Sequence, residues 1–181
     1  VRSIIDILWD VNCWTGFTRH FGPASGSDPK LDDPPSRYVV TTFTYGCNLG
    51  PAQAARHMRG AVSAHQLGFV NRRHIDASKL EASSRDIINP YATLQLPRYW
   101  GDGKTAAADG TQYDLYQDNL LAANHIRYGG YGGIAYHHVS DTYVALFTHF
   151  IPCGVWAAVY ILDGLLKNKS DLQPDRIHAD T

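Results

Sequence analysis

Apolar residues near the end of the chain recur at helical spacing. Val155, Ala158, Val159, Leu162, Leu165 and Leu166 stand at i, i+3, i+4, i+7, i+10 and i+11 and form one stripe, on a helix predicted to open at Gly154. Leu80, Ile87 and Ile88 keep the same period behind Ser78-Lys79-Leu80-Glu81, which has capping-box spacing. Asn89-Pro90 is predicted to close that helix. Pro51 suits the first turn of another, carrying Ala52, Ala54, Ala55 and Met58. Ahead of it, GPASGSDPKLDDPPS is loop chemistry, and RYVVTTFTYGCNLG is β-branched and locally favours strand. The pattern changes at Gly101. Residues 105–115, 133–139 and 143–150 read as strands, the last two joined by a Ser140-Asp141 turn. Residues 118–131 form a polar, glycine-rich excursion, and 176–180 a final short strand. The expected fold is α+β: a mainly helical segment over 1–100, then a β-β-β-α-β unit over 101–181.

Composition narrows the class. A chain of 181 residues with 44% hydrophobic content can bury a core in one domain or little more. The formal net charge is only −1, but it is uneven. Residues 51–100 carry seven Lys/Arg against three Asp/Glu, and residues 101–181 carry five against nine. A phosphate-tracking face beside a cation-binding face would produce this, and so would a solvated surface with chance clustering. Cys13, Cys47 and Cys153 make neither CxxC nor an even set, which points to a reducing, cytoplasmic setting rather than a zinc or disulfide framework. No apolar run approaches the ~20 residues of a membrane span, so no membrane partner is expected. The chain starts at Val1 and stops one residue past Asp180, and it reads as a piece of a longer protein.

Two carboxylates carry the candidate chemistry. Asp109 falls inside a small-residue strand after a glycine turn, and Asp180 ends the last apolar run. A helix between strands can return the chain so that the last strand lies parallel to an earlier one. If it pairs with the first, Asp109 and Asp180 come within reach of a shared ion. Mg2+ takes few hard oxygens from protein and the rest from water and phosphate, and a pair of ions can serve both oxygens of a phosphodiester exchange.

YWGDGKTAAADG, IRYGGYGGIAYHHVSD, the FIP step, LDGLL and PDRIHADT, with CWTGF and YGCNLG upstream, resemble the Tn-three family of bacterial replicative transposases in the same order. The resemblance implies a DDE transposase with an RNase H-like core, here incomplete. It implies Asp109 and Asp180 as catalytic, metal-holding residues, with Mg2+ as cofactor and Mn2+ as a possible substitute. The family's third acidic ligand, a glutamate, lies further downstream; Glu81, the only glutamate here, precedes both aspartates. Implied partners are the terminal inverted-repeat DNA of a transposon and target DNA, with self-association of this piece. The resemblance also implies that residues 36–47 are helical, against their local preference.

Other residues carry weaker signals. Arg72, Arg73 and Arg127 are candidate DNA contacts, with Arg56 and Arg59 as further phosphate partners; a solvated helix face explains them as well. His178 and Asp180 share a strand face and could hold a softer metal, or His178 is a hydrogen-bonded structural residue. The run 128–133 could approach a nucleic-acid backbone or form a mobile loop. Trp156 and Tyr160 flank the helix stripe and read as core. A non-catalytic DNA-contact or folding module, and a His/Asp metallohydrolase, remain alternative functions.

Overall fold

The computed structural model describes residues 2–115, 122–126 and 129–179, in two compact units, Val1–Ile87 and Ile88–Thr181.

The first unit is helical. Ser3 and Asp6 form a capping box at the start of α1 (Ile4–Thr15), and Gly16 ends it in the left-handed region at φ 64°. Then come α2 (Pro34–Gly46), α3 (Pro51–His57) and α4 (Ala64–His74). α2 is where local propensity fails. Its β-branched residues form a helix because Pro34 and Pro35 pre-set the first turn and Tyr38, Val39, Thr41 and Thr44 bury one face. The Thr41 and Thr44 hydroxyls also donate to the carbonyls four residues back. Phe17, Phe21, Tyr38, Val39 and Val70 make the main core, and Ala54, Val62 and Leu67 a smaller one.

α5 (Ala77–Thr93) departs from expectation at both ends. Asp76, not the Ser78/Glu81 pair, caps its start. The Asp76 carboxylate accepts from the Lys79 amide at 3.0 Å and from the Ser78 hydroxyl at 2.7 Å, and these bonds lower its pKa to about 2. The helix also runs through Pro90 rather than stopping before it. Pro90 stands three residues before the helix end; it lacks the amide that would donate to the Asp86 carbonyl, and the Thr93 hydroxyl donates to the Pro90 carbonyl at 2.7 Å.

The second unit holds a mixed five-stranded sheet: β1 (Thr105–Asp114), β2 (Ala123–His125), β3 (Gly130–Ser140), β4 (Ala145–Pro152) and β5 (Arg176–Ala179). β3 pairs antiparallel with β1 on one side and with β4 and β2 on the other. β5 pairs with β1 in parallel. The expected β-β-β-α-β order thus gains a strand, β2, inside the supposed polar excursion. Gly130 and Gly132 belong to β3 rather than to a loop, and Gly133, expected to open the strand, lies inside it; a Cβ on Gly133 would sit 2.2 Å from the Phe150 ring. The β3–β4 turn is also longer than Ser140-Asp141, since Tyr143 adopts φ 62° and β4 begins at Ala145.

α6 (Ala158–Lys167) starts four residues after Gly154 and supplies the crossover between β4 and β5. Its buried face is not the predicted stripe. Ala157, Tyr160 and Ile161 pack on Ala108, Ile134, Tyr136, Ile151 and Cys153, while Val159, Leu162 and Leu166 are 57%, 66% and 84% exposed. Gly164 decides the choice of face. A Cβ there would lie 2.4 Å from the His138 ring, so the helix can seat over His138 only along a line without a side chain.

Candidate carboxylate cleft

β1 alternates buried Ala106 and Ala108 with exposed Ala107 and Asp109. Strand geometry therefore presents Asp109 away from the Ala106/Ala108 core. Directly opposite in the ladder stands His137, whose Nδ1 is 3.0 Å from the Thr148 hydroxyl. Asp109 Oδ1 accepts from the Gly110 amide at 2.7 Å, and Asp109 forms no ion pair among the described residues. An exposed carboxylate of this kind is a hard oxygen donor suited to Mg2+ or Mn2+.

On its other edge β1 meets β5. The parallel register runs Thr105↔Arg176, Ala106↔Ile177, Ala107↔His178 and Ala108↔Ala179. This is the crossover pairing expected from the sequence. Asp180 lies outside the described residues, as does Arg127. His178 is exposed on β5. His149 lies elsewhere, ring to ring with Phe147 and Tyr160. Among the described residues no group of three His, Cys, Asp or Glu side chains is placed to hold a metal ion.

A cleft of about 690 Å³ adjoins Asp109. Asp109, Gly110, His125 and Ala179 line it, as do Ile134, Tyr136 and the turn from Cys153 to Ala158. Burial, and then the negative charge of Asp109, push the Tyr136 phenol above its ordinary pKa. Sequence reasoning missed one wall of this cleft. Trp156 does not belong to the core; it is 77% exposed there. Its helical neighbours in sequence hid this, because spacing alone cannot say which apolar residue faces a cleft.

Arg72 and Arg73 occupy the last turn of α4 and are exposed. His74, next in the sequence, is buried with Nδ1 3.0 Å from the Tyr38 hydroxyl. Burial first, and the Lys79 charge second, lower the pKa of His74. Arg56 and Arg59 are exposed on and just after the neighbouring α3. No acidic residue occurs between Asp33 and Asp76, so α2, α3 and α4 are purely basic or neutral.

A family model described as "Tn3 transposase DDE domain" matches residues 6–181. The chain belongs to that family. Its relatives include the transposases for transposon gamma-delta of Escherichia coli strain K12 (27% identical), for Tn2501 of Escherichia coli (31%) and for Tn501 of Pseudomonas aeruginosa (30%). Each match covers 99% of this chain but only 18% of the relative, so the chain spans under a fifth of their length. No solved structure matches it. Among the described residues no helix is long and apolar enough to cross a membrane.

Proposed function

We propose that this Tn3-family segment supplies Asp109 and Asp180 as two carboxylates of a divalent-metal site for DNA transposition. One observation carries the reading. The described β1/β5 register ends at Ala108↔Ala179, and the residues that follow these two in the sequence are Asp109 and Asp180. An antiparallel β1–β3–β4 sheet, a helical crossover and a parallel fifth strand are compatible with an RNase H-like core over 101–181, with 1–100 as the preceding helical part. The transposase containing this segment would cut terminal inverted-repeat DNA by metal-assisted hydrolysis. It would then join the freed 3′-hydroxyl to target DNA by transesterification. The bound ions, Mg2+ or Mn2+, would activate the attacking oxygen and stabilise the leaving one. The protein's own part is placement of charge rather than covalent chemistry. Exposed Arg72 and Arg73, with Arg56 and Arg59, suit contacts to DNA phosphates; Arg127 is kept as a candidate from the sequence. The exposed face of α6 suits self-association of the chain.

The test is metal binding. Two carboxylates supply few hard oxygens, so Mn2+ should bind the chain weakly, in roughly the millimolar range or worse. Asp109→Asn and Asp180→Asn should each abolish that binding, read by water-proton relaxation. Binding that survives Asp109→Asn would sink the assignment. In a transposase containing the segment, either variant should also abolish nicking of transposon-end DNA.

A further inference from the structure

α4 turns two faces in opposite directions. Leu67, Val70 and His74 are buried. Leu67 packs with Ala54 of α3 and with Val62 of the intervening turn, and Val70 packs with Tyr38 and Val39 of α2. The other face carries His65, Phe69, Arg72 and Arg73, at i, i+4, i+7 and i+8, and all four are exposed. At 3.6 residues per turn they make one stripe, with Arg72 and Arg73 on its two flanks and His65 and Phe69 between them. All four stand on one helix, so the stripe does not depend on the placement of any other element. Local contacts hold it. In the capping box the Gln66 amide donates to the Ser63 hydroxyl at 3.1 Å, and the Ser63 amide to the Gln66 carboxamide oxygen at 2.9 Å. The Arg37 guanidinium of α2 donates to the Ala61 carbonyl in the turn at 3.0 Å. The Phe69 ring meets the His74 ring at 5.5 Å. Gly68 stands in mid-helix, where glycine is disfavoured, and a Cβ there would lie 3.1 Å from Arg72 Nη1. Its bare backbone leaves room for the guanidinium to lie back along the helix. Among the described residues neither Arg72 nor Arg73 makes an ion pair. The next acidic residue, Asp76, is engaged at the cap of α5.

A convex ridge with cations on both flanks needs a concave partner with anions on both rims. A helix with its side chains is about 10–12 Å across, and the major groove of B-DNA is about 12 Å wide between two phosphate rows. The groove floor offers hydrogen-bonding base edges to an imidazole and thymine methyl groups to an apolar ring. A single strand has no such groove. We propose that α4 lies in the major groove of duplex DNA, with Arg72 and Arg73 toward the flanking phosphates and His65 and Phe69 toward the base edges. This deepens the phosphate-contact reading of the two arginines given above. α3 and α4 then act as a helix-turn-helix-like pair backed by α2, the second helix entering the groove. The turn over 58–63 contains Gly60, as such turns often do, but is longer than their usual three or four residues.

The probe is a fluorescein-labelled, mixed-sequence duplex of about 20 base pairs, followed by anisotropy in EDTA from about 50 mM salt upward, beside each of its single strands. EDTA removes divalent ions, so the result does not draw on a cation at Asp109. The unaltered chain should bind the duplex more tightly than either strand. Methyl green, which occupies the major groove, should displace it; netropsin, which occupies the minor groove, should not. Arg72→Ala and Arg73→Ala should each weaken binding about tenfold at the lowest salt and reduce the salt slope by about one, as loss of one phosphate contact does. Both side chains are exposed, so the thermal melts should stay unchanged. Lys169→Ala removes an equal, exposed charge from the second unit and should alter neither affinity nor slope. Four results overturn the proposal: no duplex binding, equal binding of the single strands, displacement by netropsin alone, or an unchanged slope in both arginine variants. If Arg56→Ala and Arg59→Ala reduce the slope while the α4 variants do not, phosphate contact stands and α4 is not the groove helix. Association of the chain lost in Arg72→Ala, without duplex binding, would assign the stripe to a second copy instead. Mn2+ binding that survives Asp109→Asn sinks the metal site and leaves this proposal standing.

Discussion

The imidazole of His138 is 2% exposed, edge-on to the rings of Tyr136 and Phe147, with Gly164 laid over it. Among the described residues its two ring nitrogens are buried side-chain atoms without a hydrogen-bond partner of good geometry. Burial lowers its pKa from 6.5; the nearby Ile161 backbone offsets part of this, and the charge of His137 adds to the lowering. A folded-state pKa below the unfolded one means that the unfolded chain binds more protons. Stability is then fully present above about pH 6.5 and lost as pH falls from there through the folded pKa. Buried His74 shifts the same way in the other unit. Urea midpoints should therefore drop below that pH, and His138→Phe should lessen the drop without abolishing it. An unchanged slope in His138→Phe would assign the acid sensitivity elsewhere. Gly164→Ala meets the same ring from above, at 2.4 Å. Overpacking of this kind costs typically about 1–3 kcal/mol, readable as a lower urea midpoint, and His138→Ala in the same chain should recover part of it.

At the scale of elements, β1 and its neighbours were legible because β-compatible runs and turn residues agree there. Asp109 could be placed on a strand from its small β-compatible neighbours, and the crossover rule gave a last strand parallel to an earlier one, with β1 as one candidate partner. What was not legible depended on partners distant in sequence. β2 is only three residues long, and its pairing with Gly130, Tyr131 and Gly132 exists only once β3 is in place. α6 offers two apolar stripes, and Gly164 over His138 selects between them. α2 was legible only through the family resemblance, which implied a helix over 36–47; read locally its β-branched residues favour strand, and tertiary burial overrides them. A peptide covering 33–47 should accordingly show little helix by far-UV circular dichroism in water. A strongly helical peptide would mean that the proline start and Asp33 cap suffice, and that the burial argument is wrong.

The whole molecule leaves a particular surface uncovered. Val159, Leu162 and Leu166 lie along the outer side of α6, and Leu166 at 84% exposure is among the most exposed large apolar side chains described. Exposed apolar residues scattered singly need no explanation, but a continuous helix face does. β5 adds a second feature. It pairs only with β1 among the described strands, so its other side presents unpaired backbone groups, a template for edge-to-edge pairing. Both point to self-association of the chain as it stands, and they predict different outcomes. If the α6 face drives it, Leu162→Glu with Leu166→Glu should return a monomer, because two buried charges at a helix–helix contact cannot be desolvated cheaply. Gly164 and the Ala157/Tyr160/Ile161 contacts stay intact, so folding should survive. If the β5 edge drives it, the double variant should still associate, and Ile177→Pro at the edge should disrupt the sheet as well as the assembly. Sedimentation velocity over a concentration series decides between them. A clean monomer for the unaltered chain at the highest concentration would show that neither surface is sticky enough to matter, and would sink the association proposal.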